Sequence, residues 1–277
     1  MSQIFLSALG NHLWQSTAVA ALAGLLTLML RKHGAHVRYW VWFTASVKFL
    51  VPFSLLVSLG SAVKWPSAKP TAASHSIVVV ATQIAQPFVI SSPSSLKPSS
   101  VGTMRLYAPS MLFIAWLAGF LTVVTLWARS WLRMRAIIRG ASPLVIPPNI
   151  HAMASPALLE PSVFGIFRPV LLLPHDIQER LSEEQLHSVV AHEMCHIRRR
   201  DNLLSSLHMT VAAIFWFYPV MWWLGARLLE QRERACDEQV VRQGSDPHAY
   251  AEGILRVCKS YLESPLRCAS GVSGANL

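Results

Sequence analysis

The sequence predicts a mainly α, polytopic membrane protein in which transmembrane helices carry a cytoplasmic α+β domain with a small β-sheet. Three observations predict it. Of 277 residues, 53% are hydrophobic and only 14% charged, too apolar for an ordinary soluble domain, whose charged share is about 25%. Residues 4–30, 36–63 and 109–128 are long, predominantly apolar stretches, each able to cross a hydrocarbon core that needs about 20 helical residues. All 14 acidic residues lie at Glu160 or later, so carboxylate chemistry belongs to the second half of the chain.

Residues 1–63 read as a transmembrane helical hairpin. Its first span is not a cleavable signal, because no Lys or Arg precedes the apolar run and Asn11, His12, Gln15 and Ser16 interrupt it. Residues 64–108 form an external Ser/Pro-rich linker in which 77–80 could make a short strand, and residues 109–135 hold the third transmembrane helix. Ser94-Ser95-Leu96-Lys97 in the linker has the form S-x-x-K, but no S-D-N or K-T-G follows, and the match is chance. Arg31, Lys32 and Arg38 occupy the first tight connection, and Arg129, Arg133, Arg135 and Arg139 follow the third span. By the positive-inside rule both groups are cytoplasmic, which leaves the N-terminus outside. Lys48, inside the second span, reads as a snorkelling or helix-paired lysine. The net charge of +10 gathers at these membrane edges, which makes the lipid bilayer the partner and excludes direct nucleic-acid binding. Cys195, Cys236, Cys258 and Cys268 fall on the reducing side, where free thiols are expected.

Residues 136–277 form the cytoplasmic domain. Val163-Phe164-Gly165-Ile166-Phe167 and Val170-Leu171-Leu172-Leu173 are short apolar runs punctuated by Arg168-Pro169 and Pro174, and they read as strands. One exposed edge, formed by Val163, Phe164, Gly165 and Ile166, could hold an extended peptide by strand addition; the plainer reading is a hairpin that supports the next helix. Ser182-Glu183-Glu184-Gln185 has the form of a capping box, and Leu186, Val189, Val190 and Met194 continue at helical spacing, predicting a helix over Glu183–Arg199. On it stands His192-Glu193-Met194-Cys195-His196. Histidines at i and i+4 share a helix face and can reach one zinc ion, with Glu193 beside the metal's open position. The chemistry implied is metal-assisted hydrolysis.

A catalytic zinc takes three protein ligands and a water, so a third donor is needed elsewhere. The acidic helix around 230–238 could supply it. Glu233 and Asp237, at i and i+4, suit a ligand plus a carboxylate that orients a histidine, although such runs are also the ordinary pattern of a solvated helix face. Between the motifs, 203–229 is apolar enough for a fourth span, which would strand His192 and Glu233 on opposite membrane faces. Pro219 breaks the run after Tyr218 into limbs of about 16 and 10 residues, each too short to span, and predicts a re-entrant or interfacial hairpin.

These residues resemble the bacterial membrane metallopeptidases that include the beta-lactam sensor-transducer antirepressors. The resemblance rests on Leu13-Trp14-Gln15-Ser16, on Lys48-Phe49-Leu50-Val51-Pro52, and on Phe164-Gly165-Ile166-Phe167-Arg168-Pro169 with the apolar run after it. It continues through the zinc helix to Asp201 and through Arg234-Ala235-Cys236-Asp237. It implies a gluzincin-like domain in the bacterial inner membrane, with His192, His196 and Glu233 holding zinc and Glu193 as general base. It also implies a site-specific endopeptidase that cuts a cytoplasmic transcriptional repressor, or itself, in signal transduction. The antibiotic sensors continue into a further helix and an external penicillin-binding domain, whereas this sequence ends at Leu277. The expectation is therefore either a fragment or a shorter member with another signal.

Two other classes fit less well. A non-catalytic membrane signalling scaffold would keep the zinc site but has no need of Glu193 between its ligands. A metal transporter wants ionisable groups inside paired spans, and the first three spans have no carboxylate. The oxyanion donor is open; His208, Tyr218 and His248 qualify only by residue type.

Overall fold

The computed structural model describes residues 2–52, 83, 86–88, 104–146, 150–156 and 160–263. Helix α1 (Ser2–Met29) passes through a 3-10 turn (Leu30–Lys32) into α2 (Ala35–Val47), which ends in a second 3-10 turn (Lys48–Leu50). Helix α3 (Met104–Arg139) leads to strands β1 (Ser142–Ile146), β2 (Ile150–Ser155), β3 (Ser162–Phe164) and β4 (Val170–Pro174). The short α4 (Ile177–Arg180) precedes four further helices, α5 (Glu183–Arg199), α6 (Asp201–Ile214), α7 (Pro219–Arg242) and α8 (Pro247–Glu263).

Among the described residues, two helical stretches, Leu6–Lys32 and Pro109–Arg139, are long and apolar enough to cross a membrane. Helix α3 is bare. None of its most apolar window is buried inside the protein, and Met111, Leu112, Phe113 and Ile114 are four consecutive exposed apolar side chains. A helix apolar around its whole circumference has no polar face to offer water. It begins at Met104, ahead of the expected boundary at 109, so the last residues assigned to the linker are helical. Of the expected second span, α2 is the described part. Residues 53–63, the strand expected at 77–80, Ser94 to Lys97 of the linker, and Cys268 lie outside the described residues.

Two apolar cores organise the rest. Ala20 and Ala23 of α1, Tyr39, Trp42 and Phe43 of α2, Val211 of α6, and Met221, Leu224 and Leu228 of α7 form the first. Small residues on α1 let its backbone approach the aromatic face of α2. The turn between α1 and α2 is gripped by α7. The Ala35 N–H donates to both Glu238 oxygens, at 3.1 and 3.0 Å, which caps an α2 N-terminus that has no cap of its own. Arg38 Nε donates to Gln231 Oε1 at 2.7 Å, and Arg38 Nη2 lies 3.8 Å from Glu238 Oε1. Gly34 permits the approach, since a Cβ there would come within 3.1 Å of Glu238 Oε2.

The second core joins Ile146 and Ala152 from β1 and β2, Leu171 and Leu173 from β4, Ile177 from α4, and Leu186, Val189 and Val190 from α5. Its sheet runs in the order β1-β2-β4-β3, with β2 parallel to β4 and the other pairs antiparallel. The two expected strands are present as β3 and β4, and β1 and β2 are additions that sequence reasoning missed. Strand β3 is an edge. Gly165 turns the chain out of it at φ 104°, where a Cβ would meet the Arg168 carbonyl oxygen at 2.5 Å.

Helix α5 has the predicted bounds and the predicted capping box: the Gln185 N–H donates to Ser182 Oγ at 3.3 Å, and the Ser182 N–H to Gln185 Oε1 at 3.1 Å. It stops at Arg200, a non-glycine residue in the left-handed region at φ 56°, and α6 starts at once with Asp201. The apolar run breaks where Pro219 predicts. Helix α6 ends at Ile214, and α7 begins with the proline in its first turn, where the missing N–H costs nothing. The two limbs lie side by side, and α7 returns against α5.

Candidate metal centre

The return of α7 along α5 brings His192, His196 and Glu233 together. Glu233 Oε2 lies 3.4 Å from His192 Nε2 and 3.5 Å from His196 Nε2. These separations are too long for charge-assisted hydrogen bonds, which run about 2.7–2.9 Å. They match the edge of a tetrahedron of ligands about 2.0–2.1 Å from a common centre, which is about 3.4 Å.

Proton counting gives the same answer. A carboxylate only accepts, so at 2.8 Å from Asp201 Oδ2 it is His196 Nδ1 that donates. His192 Nδ1 lies 3.2 Å from Asp237 Oδ1 and 2.7 Å from Tyr250 Oη, and Tyr250 donates its own proton to Asp237 Oδ1 at 2.7 Å. Nδ1 is therefore the donor in both rings, and both Nε2 atoms turn towards the oxygen of Glu233. With the rings neutral, two imidazole nitrogens and a carboxylate oxygen converge with no donor of their own among them, and a proton or a metal ion must fill the gap.

Electrostatics reinforces the geometry. Burial pulls the His192 pKa down, but the neighbouring Asp237 and Glu233 carboxylates outweigh it and hold it at about 10. Burial opposes His196 likewise, and Asp201 and Glu233 raise it to about 9. Glu233 moves the opposite way: burial would raise it, yet the two histidines and Arg232 hold it well below the carboxylate range. Asp237 is lowered against burial by His192 and Tyr250. Glu193 is raised, burial prevailing over the two imidazoles. The Tyr250 phenol is also raised, by burial and by Asp237, so it keeps its proton. The positive charge favoured between the rings is a proton or a metal ion, and the tetrahedral spacing fits the metal.

A matching family model bears on what such a centre does. It describes the BlaR1 peptidase M56 family and matches residues 7–274. The chain belongs to that family. Among curated relatives, the methicillin resistance mecR1 proteins of Staphylococcus aureus and Staphylococcus epidermidis are 26% identical over 86 residues, covering 30% of this chain and 15% of theirs. The regulatory protein BlaR1 of Bacillus licheniformis is 32% identical over 70 residues, 25% of this chain and 12% of that protein. The matched stretches thus span only about a seventh of the relatives' length.

Within the M56 chain, each expected site residue can now be located. His192, Glu193 and His196 lie along one turn of α5, and Glu233 and Asp237 on the facing side of α7. Val163, Phe164, Gly165 and Ile166 lie along β3 and its turn, next to α5. Asn202 Nδ2 already donates to the Val163 and Gly165 carbonyls, at 2.9 and 3.0 Å. The three residues considered as oxyanion donors are engaged elsewhere or lie open: His208 meets Ser46 Oγ, Tyr218 meets Thr17 Oγ1, and His248 is exposed. Cys195 and Cys236 are buried free thiols behind His196, and Cys258 is free and exposed.

Sequence reasoning missed three residues at the centre. Asp201 is fully buried against His196; in the sequence it stood only as the last residue of the stretch that carries the family resemblance, with no role given to it. Arg232 holds the other oxygen of Glu233, with Nη2 2.8 Å from Oε1, and is itself anchored to Ser205 Oγ at 3.0 Å. Tyr250 comes from α8, which carries no motif.

Proposed function

We propose that this chain is a membrane-embedded, zinc-dependent endopeptidase acting at the cytoplasmic face, which signals by cleaving a transcriptional repressor or itself. The observation that carries the reading is the convergence of His192 Nε2, His196 Nε2 and Glu233 Oε2, each held from behind by a further polar group. His192, His196 and Glu233 would hold the metal, and Asp237 and Asp201 would orient the two histidines. Zinc supplies Lewis acidity to such a site, polarising a carbonyl and lowering the pKa of water towards roughly 7. Glu193, next to the ligands and with a raised proton affinity, takes the proton from the attacking water and passes it to the leaving amine. Strand β3 and the turn after it, beside α5, are the candidate rail for an extended peptide along Val163 to Ile166, with the Val163 and Gly165 carbonyls held by Asn202.

The same reading places 1–63 and 109–135 in the bacterial inner membrane, 64–108 outside and 136–277 within, with 203–229 as the re-entrant hairpin. Membership of a peptidase family, two helices fit to span and the break at Pro219 support it.

The test separates enzyme from scaffold. Membranes carrying Glu193→Gln, Glu233→Ala or the parent are assayed for zinc content and for cleavage of a candidate repressor or of the chain itself. Glu193→Gln is expected to keep zinc and to lose about 10²–10⁴ in rate, whereas Glu233→Ala loses zinc as well. Cleavage at the parental rate by Glu193→Gln would replace the enzyme reading with a signalling scaffold.

A further inference from the structure

Helix α8 contributes a side chain to the metal centre through a close helix-helix fit. Asp246 stands just before it, its Oδ2 accepting the Ala249 N–H at 2.8 Å and its carbonyl the Tyr250 N–H at 3.0 Å. It then packs along α5, where Gly253 faces Gln185 and Val189 so closely that a Cβ would stand 3.2 Å from Gln185 Cβ. That approach buries Tyr250 and sets its Oη 2.7 Å from both His192 Nδ1 and Asp237 Oδ1. Asp237 itself is 3.2 Å from His192 Nδ1, so the phenol is the nearer partner. A phenol carries one proton, and an ionised carboxylate can only accept it. Tyr250 therefore donates to Asp237 and accepts from the His192 Nδ1–H.

We propose that Tyr250 is a positioning residue of the metal centre: interposed between His192 and Asp237, it fixes the ring and tautomer of the first ligand and passes the pull of the carboxylate to it. This inference rests on the zinc reading and deepens it. Tyr250 meets the back of the imidazole, away from Nε2, and takes no part in the bond-making steps. The consequence is that α8 belongs to the site, although its sequence carries no ligand.

The experiment uses the full chain in detergent. Zinc affinity is measured by competition with a chromophoric chelator for the parent, Tyr250→Phe, Asp237→Asn and the double variant. Cobalt spectra and the thermal unfolding of chelator-stripped protein accompany it. Tyr250→Phe, which keeps the ring and its packing, is expected to bind zinc about 10- to 100-fold more weakly and to change the cobalt spectrum. The double variant is expected to lose much less than the product of the single losses, because the two groups act in series. Parental affinity and spectrum in Tyr250→Phe would overturn the proposal, and so would fully multiplicative losses. If Tyr250→Phe lowers the unfolding temperature of the stripped protein, Asp237→Asn, which leaves the phenol in place, carries the same test. A parent that binds no zinc would overturn the zinc reading itself, an outcome distinct from either of these.

Discussion

Each histidine at the centre has one nitrogen committed to a carboxylate or to the phenol, so its other nitrogen holds either a proton or a metal ion. Without a metal, the carboxylates around them hold the pKa of His192 up at about 10 and that of His196 at about 9, against the pull of burial. Because the folded values exceed the unfolded one, this contribution to stability is complete below about pH 6.5 and is lost as pH rises through about 9 to 10. Zinc must displace those protons. Titration calorimetry in buffers of different ionisation enthalpy is expected to show proton release on zinc uptake near neutral pH, fading above about pH 10. Uptake without proton release near neutrality would contradict the assignment of both histidines as ligands. The residues that set these values were unequally visible in the sequence. His192, Glu193 and His196 announce themselves by spacing along one helix, and Glu233 with Asp237 by the same spacing on another. Asp201 and Tyr250 do not, because their roles exist only once the α5–α6 turn and α8 are folded against the ligands.

Among the elements, the β3–β4 hairpin is the most demanding of its sequence. Gly165 combines a positive φ with an Arg168 carbonyl where a Cβ would sit, whereas Gly244, after α7, has φ 94° and nothing within 4 Å of that position. Gly165→Ala is therefore expected to cost more stability than Gly244→Ala, whose penalty is that of the strained backbone alone, about 1–3 kcal/mol. Denaturant unfolding of the two variants compares them, and equal losses would show that the hairpin turn relaxes freely. Helix α5 was readable because the capping box and the apolar spacing are local, and the break at Pro219 because proline dictates its own backbone. Strands β1 and β2 were not. Pro143 interrupts one, His151 and Ser155 dilute the other, and each is held by pairing with a neighbour rather than by a pattern of its own.

For the whole molecule, the proposed orientation puts the start of α1 on one side of the bilayer, and the start of α6 and the end of α7 on the other. Single cysteines introduced at Ser2 and Arg242 test it with a membrane-impermeant reagent. Ser2→Cys is expected to label in intact cells, and Arg242→Cys only after permeabilisation. Labelling of Arg242→Cys from outside would mean that 203–229 crosses fully, contrary to the return of α7 to α5. The hairpin of α1 and α2 is not merely an anchor in this arrangement. On one side of α7 the Glu238 carboxylate and Gln231 hold Ala35 and Arg38, and on the other Glu233 faces the histidines. Glu233 and Glu238 are separated by five residues of continuous helix, about 7.5 Å along a rod too stiff to absorb a shift between them. In the proposed arrangement a push or twist of the α1–α2 turn would reach Glu233 through α7, and the stiffness of that one helix would set how faithfully force applied in the membrane is read out between the two histidines.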